Sequence, residues 1–184
     1  MPLGLERRHH LGHLHFITFS CHHRLPYLET SKPKEILERV IERTRRSHHF
    51  FLYAYVLMPE HIHLLLSEPK KHSLSSTLRV LKGESSKLLK GRRDHFWQPR
   101  YYDFNVFTTP KFVEKIQYIH RNPVTRGLVS KPEDYRWSSF SHYATGEPSP
   151  VEVESRWTTR RRETETERLP SQSRKTGWPG SNPP

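Results

Sequence analysis

Apolar positions along this chain switch repeatedly between a period of two and a period of three to four. The run His13–Ser20, with Phe16, Ile17 and Phe19, reads as a strand. Lys32–Ser47 carries Ile36, Leu37, Val40 and Ile41 as one stripe, with Ser31 as a cap and Pro33 suited to the first turn, which predicts a helix. Phe51–Met58 is a second predicted strand, Pro59-Glu60 turns the chain, and His61–Ser67 returns as a third strand in a hairpin. Ser73–Lys90 is a helix with Leu74, Leu78, Leu81 and Leu88 inward and Gly91 as its stop. Arg100–Phe107 is a fourth strand, and Thr109-Pro110 opens a third helix that is expected to end near Arg121, before Pro123. Strands mixed with helices and joined by a hairpin predict an α+β fold: a ferredoxin-like antiparallel sheet with helices packed on one face.

Beyond Thr145 the pattern is lost. Residues 145–184 hold six prolines and a single leucine, with Arg160-Arg161-Arg162 beside alternating Glu and Thr. So little apolar surface does not offset the entropy of ordering, so a domain over 1–144 and a disordered tail over 145–184 are expected. The chain has a formal net charge of +12. The tail contributes seven Lys+Arg and six Asp+Glu, a net of +1, which leaves +11 on residues 1–144. The basicity thus belongs to the packed part and points to an anionic partner, nucleic acid ahead of a membrane. Apolar runs such as Leu64-Leu65-Leu66 are far too short to span a bilayer, and Met1–Gly12 is basic but lacks the apolar core of a signal peptide, so a cytoplasmic protein is expected. Cys21 is the single cysteine, so a metal would be held by His, carboxylate or amide groups.

Candidate chemistry begins at His61-Ile62-His63. On a strand both imidazoles point to one face, about 7 Å apart along the chain, while Ile62, Leu64 and Leu66 point to the other. Such a pair can converge on one cation, or it can be two surface histidines in a chain that has fourteen. A histidine-triad nucleotide hydrolase would need a further histidine where Leu65 stands, and the chain is too short for an amidohydrolase barrel. On the third helix, at about 100° per residue, Phe112, Val113, Ile116, Ile119 and His120 form the expected buried arc. Tyr118 falls about 150° from its centre, near Lys111, Lys115 and Asn122. A tyrosine among cations is either an ordinary surface residue or a nucleophile beside a phosphate. Asn122, one turn on, shares its face and could offer an amide oxygen to a metal. In the stretch Phe96–Tyr102, Trp97 could stack on an unpaired base or belong to the core, and Arg100 could meet phosphate. Arg79, Lys82 and Lys87 on the second helix are further candidate phosphate contacts.

Taken together, Met58-Pro59-Glu60-His61-Ile62-His63, Phe96-Trp97-Gln98 with Tyr101-Tyr102-Asp103, Tyr118-Ile119-His120-Arg121-Asn122-Pro123-Val124, Gly127-Leu128-Val129 and Pro132–Ser139 form one ordered set over about residues 10–143. This set resembles the REP-associated tyrosine transposases, relatives of the single-tyrosine insertion-sequence transposases within the HUH endonuclease superfamily. The resemblance implies a ferredoxin-like fold with His61 and His63 as metal ligands on a central strand, Tyr118 as nucleophile on the facing helix and Asn122 completing the metal site. It also implies Mg²⁺ or Mn²⁺ as cofactor and hairpin-containing single-stranded DNA, REP-like palindromes, as partner. Lys111, Lys115 and Arg121, on the same helix as Tyr118, are further candidate phosphate contacts read from the residues themselves. Cleavage and rejoining would then proceed by transesterification through a 5′-phosphotyrosine. Relatives include monomers and dimers, and a monomer is expected here, nucleoid-associated when DNA-bound. The rival expectations are a hairpin-binding module without turnover and a metal-dependent nuclease that uses water.

Overall fold

The computed structural model describes residues 14–168. Its elements run β1 (Leu14–Ser20), α1 (Ser31–His48), β2 (Leu52–Leu57), β3 (His61–Ser67), α2 (Leu74–Leu89), β4 (Tyr102–Val106), α3 (Thr109–Thr125), α4 (Phe140–Thr145) and α5 (Arg156–Arg168). The four strands form one antiparallel sheet in the order β2-β3-β1-β4. The first two strands are joined through α1 and the last two through α2, which makes this a ferredoxin-like α+β fold. The histidine strand β3 is central, with Ser20 opposite His61 and Thr18 opposite His63 on β1, and Val56 opposite His63 on β2.

Strand alternation divides the core in two. Ile17, Phe19, Ile62, Leu64 and Leu66 point to the face covered by α1 and α2, where they meet Leu37, Val40, Ile41, Leu74, Leu78 and Leu81. Phe16, Ala54, Val56 and Leu65 point to the other face, where Ile119 of α3 is buried against them and Phe112 and Ile116 pack at its margin. Helices were expected on one face. That holds for α1 and α2, whereas α3 lies on the opposite face, because the second side of the sheet is apolar too and needs a cover. Leu88, expected inward on α2, is 59% exposed, and Leu89 packs on the core in its place.

Two boundaries differ from expectation for physical reasons. Helix α3 continues through Pro123 to Thr125. A proline lacks one donor, but in the last turn the neighbouring bonds survive: the amides of Arg126 and Leu128 donate to the carbonyls of Asn122 and Pro123. The disordered tail expected from residue 145 does not hold for the described residues up to 168. Val151 and Val153 are fully buried in the α1/α2 core, and the Glu154 amide donates to the Leu52 carbonyl at the outer edge of β2. Arg162 pairs with Glu152 and Glu154, and Arg45 with Glu152, tying α5 to α1. Gly146 ends α4 at φ +77°, and a Cβ there would stand 3.1 Å from the Trp157 indole, so the close seat of Trp157 requires glycine. The termini 1–13 and 169–184, with the N-terminal basic run and the last part of the expected tail, lie outside the described residues. No helix among the described residues is long and apolar enough to cross a membrane.

Candidate active site

His61 and His63 sit side by side on the α3 face of β3, and both are buried. Each is oriented through its Nδ1. His61 Nδ1 lies 3.0 Å from Glu60 Oε1, and His63 Nδ1 lies 2.6 Å from Thr18 Oγ1 on the paired strand β1. Phe16 stacks on the His63 ring at 5.3 Å with the planes 20° apart. The two Nε2 atoms then face each other at 3.0 Å. Two lone pairs at that distance repel, so either a proton on one nitrogen or a cation between them must occupy the contact. Burial lowers both imidazole pKa values, that of His63 to about 3, with His61, Arg24 and Lys115 acting in the same direction. Neutral imidazoles are the form that ligates a metal.

Helix α3 brings the second half of the site. Its first turn is capped by Thr108, whose hydroxyl accepts from the Lys111 amide, and Pro110 fits that turn because its missing N–H has no partner there to lose. Tyr118 and Asn122, one turn apart, descend on the two histidines. The Tyr118 ring is 5.3 Å from the His63 ring and 5.8 Å from Phe16, edge-on to both, and the residue is 49% exposed. Asn122 is buried with its Nδ2 3.4 Å from His63 Nε2, and its Oδ1 has no hydrogen-bond partner among the described residues. Half a turn of that amide presents Oδ1 to the histidine nitrogens. The face of α3 that reads as polar in the sequence is therefore the face turned to the site, while Val113, placed in the buried arc, is exposed.

These residues line one cleft of about 660 Å³, together with Phe16, Thr18, Arg24, Tyr102, Arg121 and Arg126. A second groove continues from it past Thr18, Arg24 and Tyr102 to Arg100 and Tyr101. Arg24 enters from a 3-10 turn, His22–Arg24, in which His23 and Arg24 both have left-handed φ, near +53° and +55°. Two successive non-glycine residues in that region are costly, and here they direct a cation over the histidines. The cleft thus has a cationic rim with a polar, metal-competent floor, an arrangement suited to a phosphate.

The donor set, two imidazole nitrogens and one amide oxygen, fits a divalent cation that accepts mixed nitrogen and oxygen ligands. Two imidazole nitrogens 3.0 Å apart match the separation of adjacent donors in an octahedral shell of about 2.1 Å, and the unpartnered Asn122 oxygen, once turned toward them, would be a third donor. Among the described residues no group of three or more His, Cys, Asp or Glu side chains could hold a metal, so such a site needs the amide.

The other sequence-predicted contacts fall partly at the cleft and partly away from it. Arg121 lines the cleft and Arg100 the adjoining groove. Lys115 lies over the rings of Phe16, Phe104 and Tyr118 and pairs with Glu114. Lys111 is exposed at the far end of α3 and pairs with Glu114 at 2.7 Å. Arg79 and Lys87 are exposed on α2, across the sheet from the cleft. Trp97 is core, not a base platform: it is buried against Phe19 and donates from Nε1 to Ser85 Oγ at 2.9 Å. Lys82 is turned inward, donating to the carbonyls of Gln98 and Pro99 at 2.6 and 2.9 Å, so it braces a loop and does not present a charge to phosphate. The sequence reading missed Thr18, Arg24, Glu60 and Arg126 at the site. Glu60 was legible only as a turn residue, though its place beside His61 was a signal.

Residues 9–122 match the family described as "Transposase IS200 like", and the chain belongs to that transposase family. Within it, the chain resembles REP-associated tyrosine transposases. One from Escherichia coli is 28% identical over 136 residues, which cover 73% of this chain and 81% of that protein. The solved structure of a REP-associated tyrosine transposase bound to a REP hairpin superposes with a TM-score of 0.67 at 24% identity, over 83% of this chain and 93% of its own.

Proposed function

We propose that this protein is a strand transferase that cleaves and rejoins hairpin-containing single-stranded DNA through Tyr118. One observation carries this reading: Tyr118 and Asn122 of α3 meet His61 and His63 of β3 in a single cationic cleft. Arg24, Arg121 and Arg126 hold the phosphodiester by charge. Tyr118 Oη attacks phosphorus in line. The new P–O bond to tyrosine forms as the P–O3′ bond breaks, which leaves a 5′-phosphotyrosine and a 3′-hydroxyl. The phenolic proton departs and the leaving oxygen takes one up, so no proton is lost overall. Attack by a 3′-hydroxyl on the phosphotyrosine reverses the step and joins strands, and no energy-rich cofactor is needed because a phosphodiester is conserved.

His61, His63 and Asn122 would hold Mg²⁺ or Mn²⁺, which when bound offsets charge on the phosphoryl oxygens. The surrounding residues prepare that site: Glu60 and Thr18 fix the imidazoles, and Phe16 packs one side of His63. REP-like palindromes are the proposed substrate, since a related protein is known bound to a REP hairpin. The protein is proposed to act as a monomer in the cytoplasm, nucleoid-associated when DNA-bound.

The test is a labelled single-stranded hairpin oligonucleotide incubated with the protein and Mn²⁺, run on a denaturing gel. A protein–DNA adduct that disappears in Tyr118→Phe supports the transferase. Cleavage that persists in Tyr118→Phe points to water as nucleophile, and binding with no cleavage under any metal points to a binding module.

A further inference from the structure

Tyr118, Asn122 and Arg126 stand at successive four-residue steps along α3 and its C-cap, and so share one face. The first two meet the histidine pair. The third reaches past them: Arg126 Nη2 lies 2.8 Å from Glu60 Oε1. That same oxygen is 3.0 Å from His61 Nδ1 and 3.8 Å from Arg24 Nη2. Glu60 is buried, and its backbone is pinned. The Met58 amide donates to the His61 carbonyl across the hairpin turn, the Cys21 amide to the Glu60 carbonyl, and the Leu28 amide to the Pro59 carbonyl.

We infer that Glu60 is a positioning residue that joins the two halves of the site, fixing His61 through Nδ1 and holding the tyrosine helix through Arg126. The inference rests on the proposed metal-assisted tyrosine chemistry. A carboxylate at Nδ1 selects the tautomer whose lone pair is on Nε2, the atom that faces His63. Without it the imidazole can turn or carry its proton on the wrong nitrogen. Arg126 in turn fixes the carboxylate and ties the end of α3 to the turn that starts β3. A purely structural ion pair is a weaker explanation. The side chains of Arg126 and Arg24 are 51% and 57% exposed, and pairs that open to water add little to stability. What such a contact can supply is direction for His61 and registry between Tyr118 and the histidines.

The test measures Mn²⁺ affinity of the full chain by titration calorimetry, with thermal melts alongside. Glu60→Ala is expected to weaken Mn²⁺ binding by about 10- to 100-fold. Glu60→Gln, which keeps an acceptor for Nδ1–H, recovers most of that loss. Arg126→Ala gives an intermediate loss, and the Glu60→Ala/Arg126→Ala double variant binds no more weakly than Glu60→Ala, because the two act through one contact. His61→Ala separates the positioning role of Glu60 from the metal site itself. If His61→Ala abolishes binding while Glu60→Ala leaves it unchanged, or if the two losses add, the positioning role is overturned. If His61→Ala leaves Mn²⁺ binding intact, the metal reading itself fails.

Discussion

His61 and His63 face each other Nε2 to Nε2 across 3.0 Å, on a central strand whose alternate residues Ile62, Leu64 and Leu66 are buried in the opposite core. The apolar side holds the strand rigid, and the polar side concentrates two neutral donors where a cation or a proton must intervene.

A cation that binds the folded state at this contact stabilises it by mass action. At a Mn²⁺ concentration about a hundred times Kd, the melting temperature is expected to rise by roughly 5–10 °C and to fall back on chelation. Differential scanning fluorimetry checks this. His63→Ala and Asn122→Ala should each reduce the shift, and an undiminished shift in His63→Ala would place the ion elsewhere.

Lys82 is expected to contribute to stability and not to DNA binding. Its ammonium is committed to the carbonyls of Gln98 and Pro99 and lies over Phe19. Lys82→Met is expected to cost about 2 kcal/mol in urea unfolding, while the salt dependence of hairpin binding stays as in the parent protein. For Arg121→Ala the opposite pattern is expected: a salt slope lower by about one and little change in stability.

How far the sequence reaches is clear from such pairs. The period of two around Ile62, Leu64 and Leu66 was enough to place both histidines on one face, and the stripes of α1 and α2 identified the helices that cover the other. Charge alone could not show direction. Lys82 and Lys87 look alike in a list of basic residues, yet one faces carbonyl oxygens and the other faces solvent. The polar arc of α3 was legible, but not that it turns toward the sheet, because burying Asn122 depends on the histidines 59 residues away. Arg24, Glu60 and Arg126 converge only in three dimensions, and a turn with left-handed His23 and Arg24 leaves no signature of glycine or asparagine. Composition averaged over residues 145–184 concealed Val151 and Val153, two small apolar side chains too few to register as a pattern.

Those two valines define a further prediction. Both are fully buried, so Val153→Ala is expected to destabilise by about 1–2 kcal/mol. Val153→Asp should destabilise much more, because it buries a charge. Urea melts check both. A Val153→Asp protein as stable as the parent would show that the 146–168 segment does not pack in solution.

Stability should also fall in mild acid. Burial holds His120 near a pKa of about 4, below the usual 6.5 of an imidazole, with Nε2 2.9 Å from Ser139 Oγ. A depressed folded-state pKa means that the unfolded chain takes up the proton first as pH falls. The contribution of the neutral residue is therefore complete above about pH 6.5 and is lost between there and about pH 4, amounting to as much as about 3 kcal/mol. Urea unfolding at pH 7 and pH 5 in chelator measures it. His120→Gln should make the profile shallower, with the depressed His61 and His63 keeping the rest of the acid sensitivity, and an unchanged profile in that variant would assign it wholly to other groups.

As the proposed nucleophile, Tyr118 becomes covalently joined to DNA, and the direct measurement is mass spectrometry of the adduct formed on a hairpin oligonucleotide with Mn²⁺, after nuclease and trypsin digestion. The expected result is a nucleotide phosphate carried by the tryptic peptide 116–121, whose single tyrosine is Tyr118. A nucleotide found on any other peptide, or cleaved DNA with unmodified peptide 116–121, would contradict it.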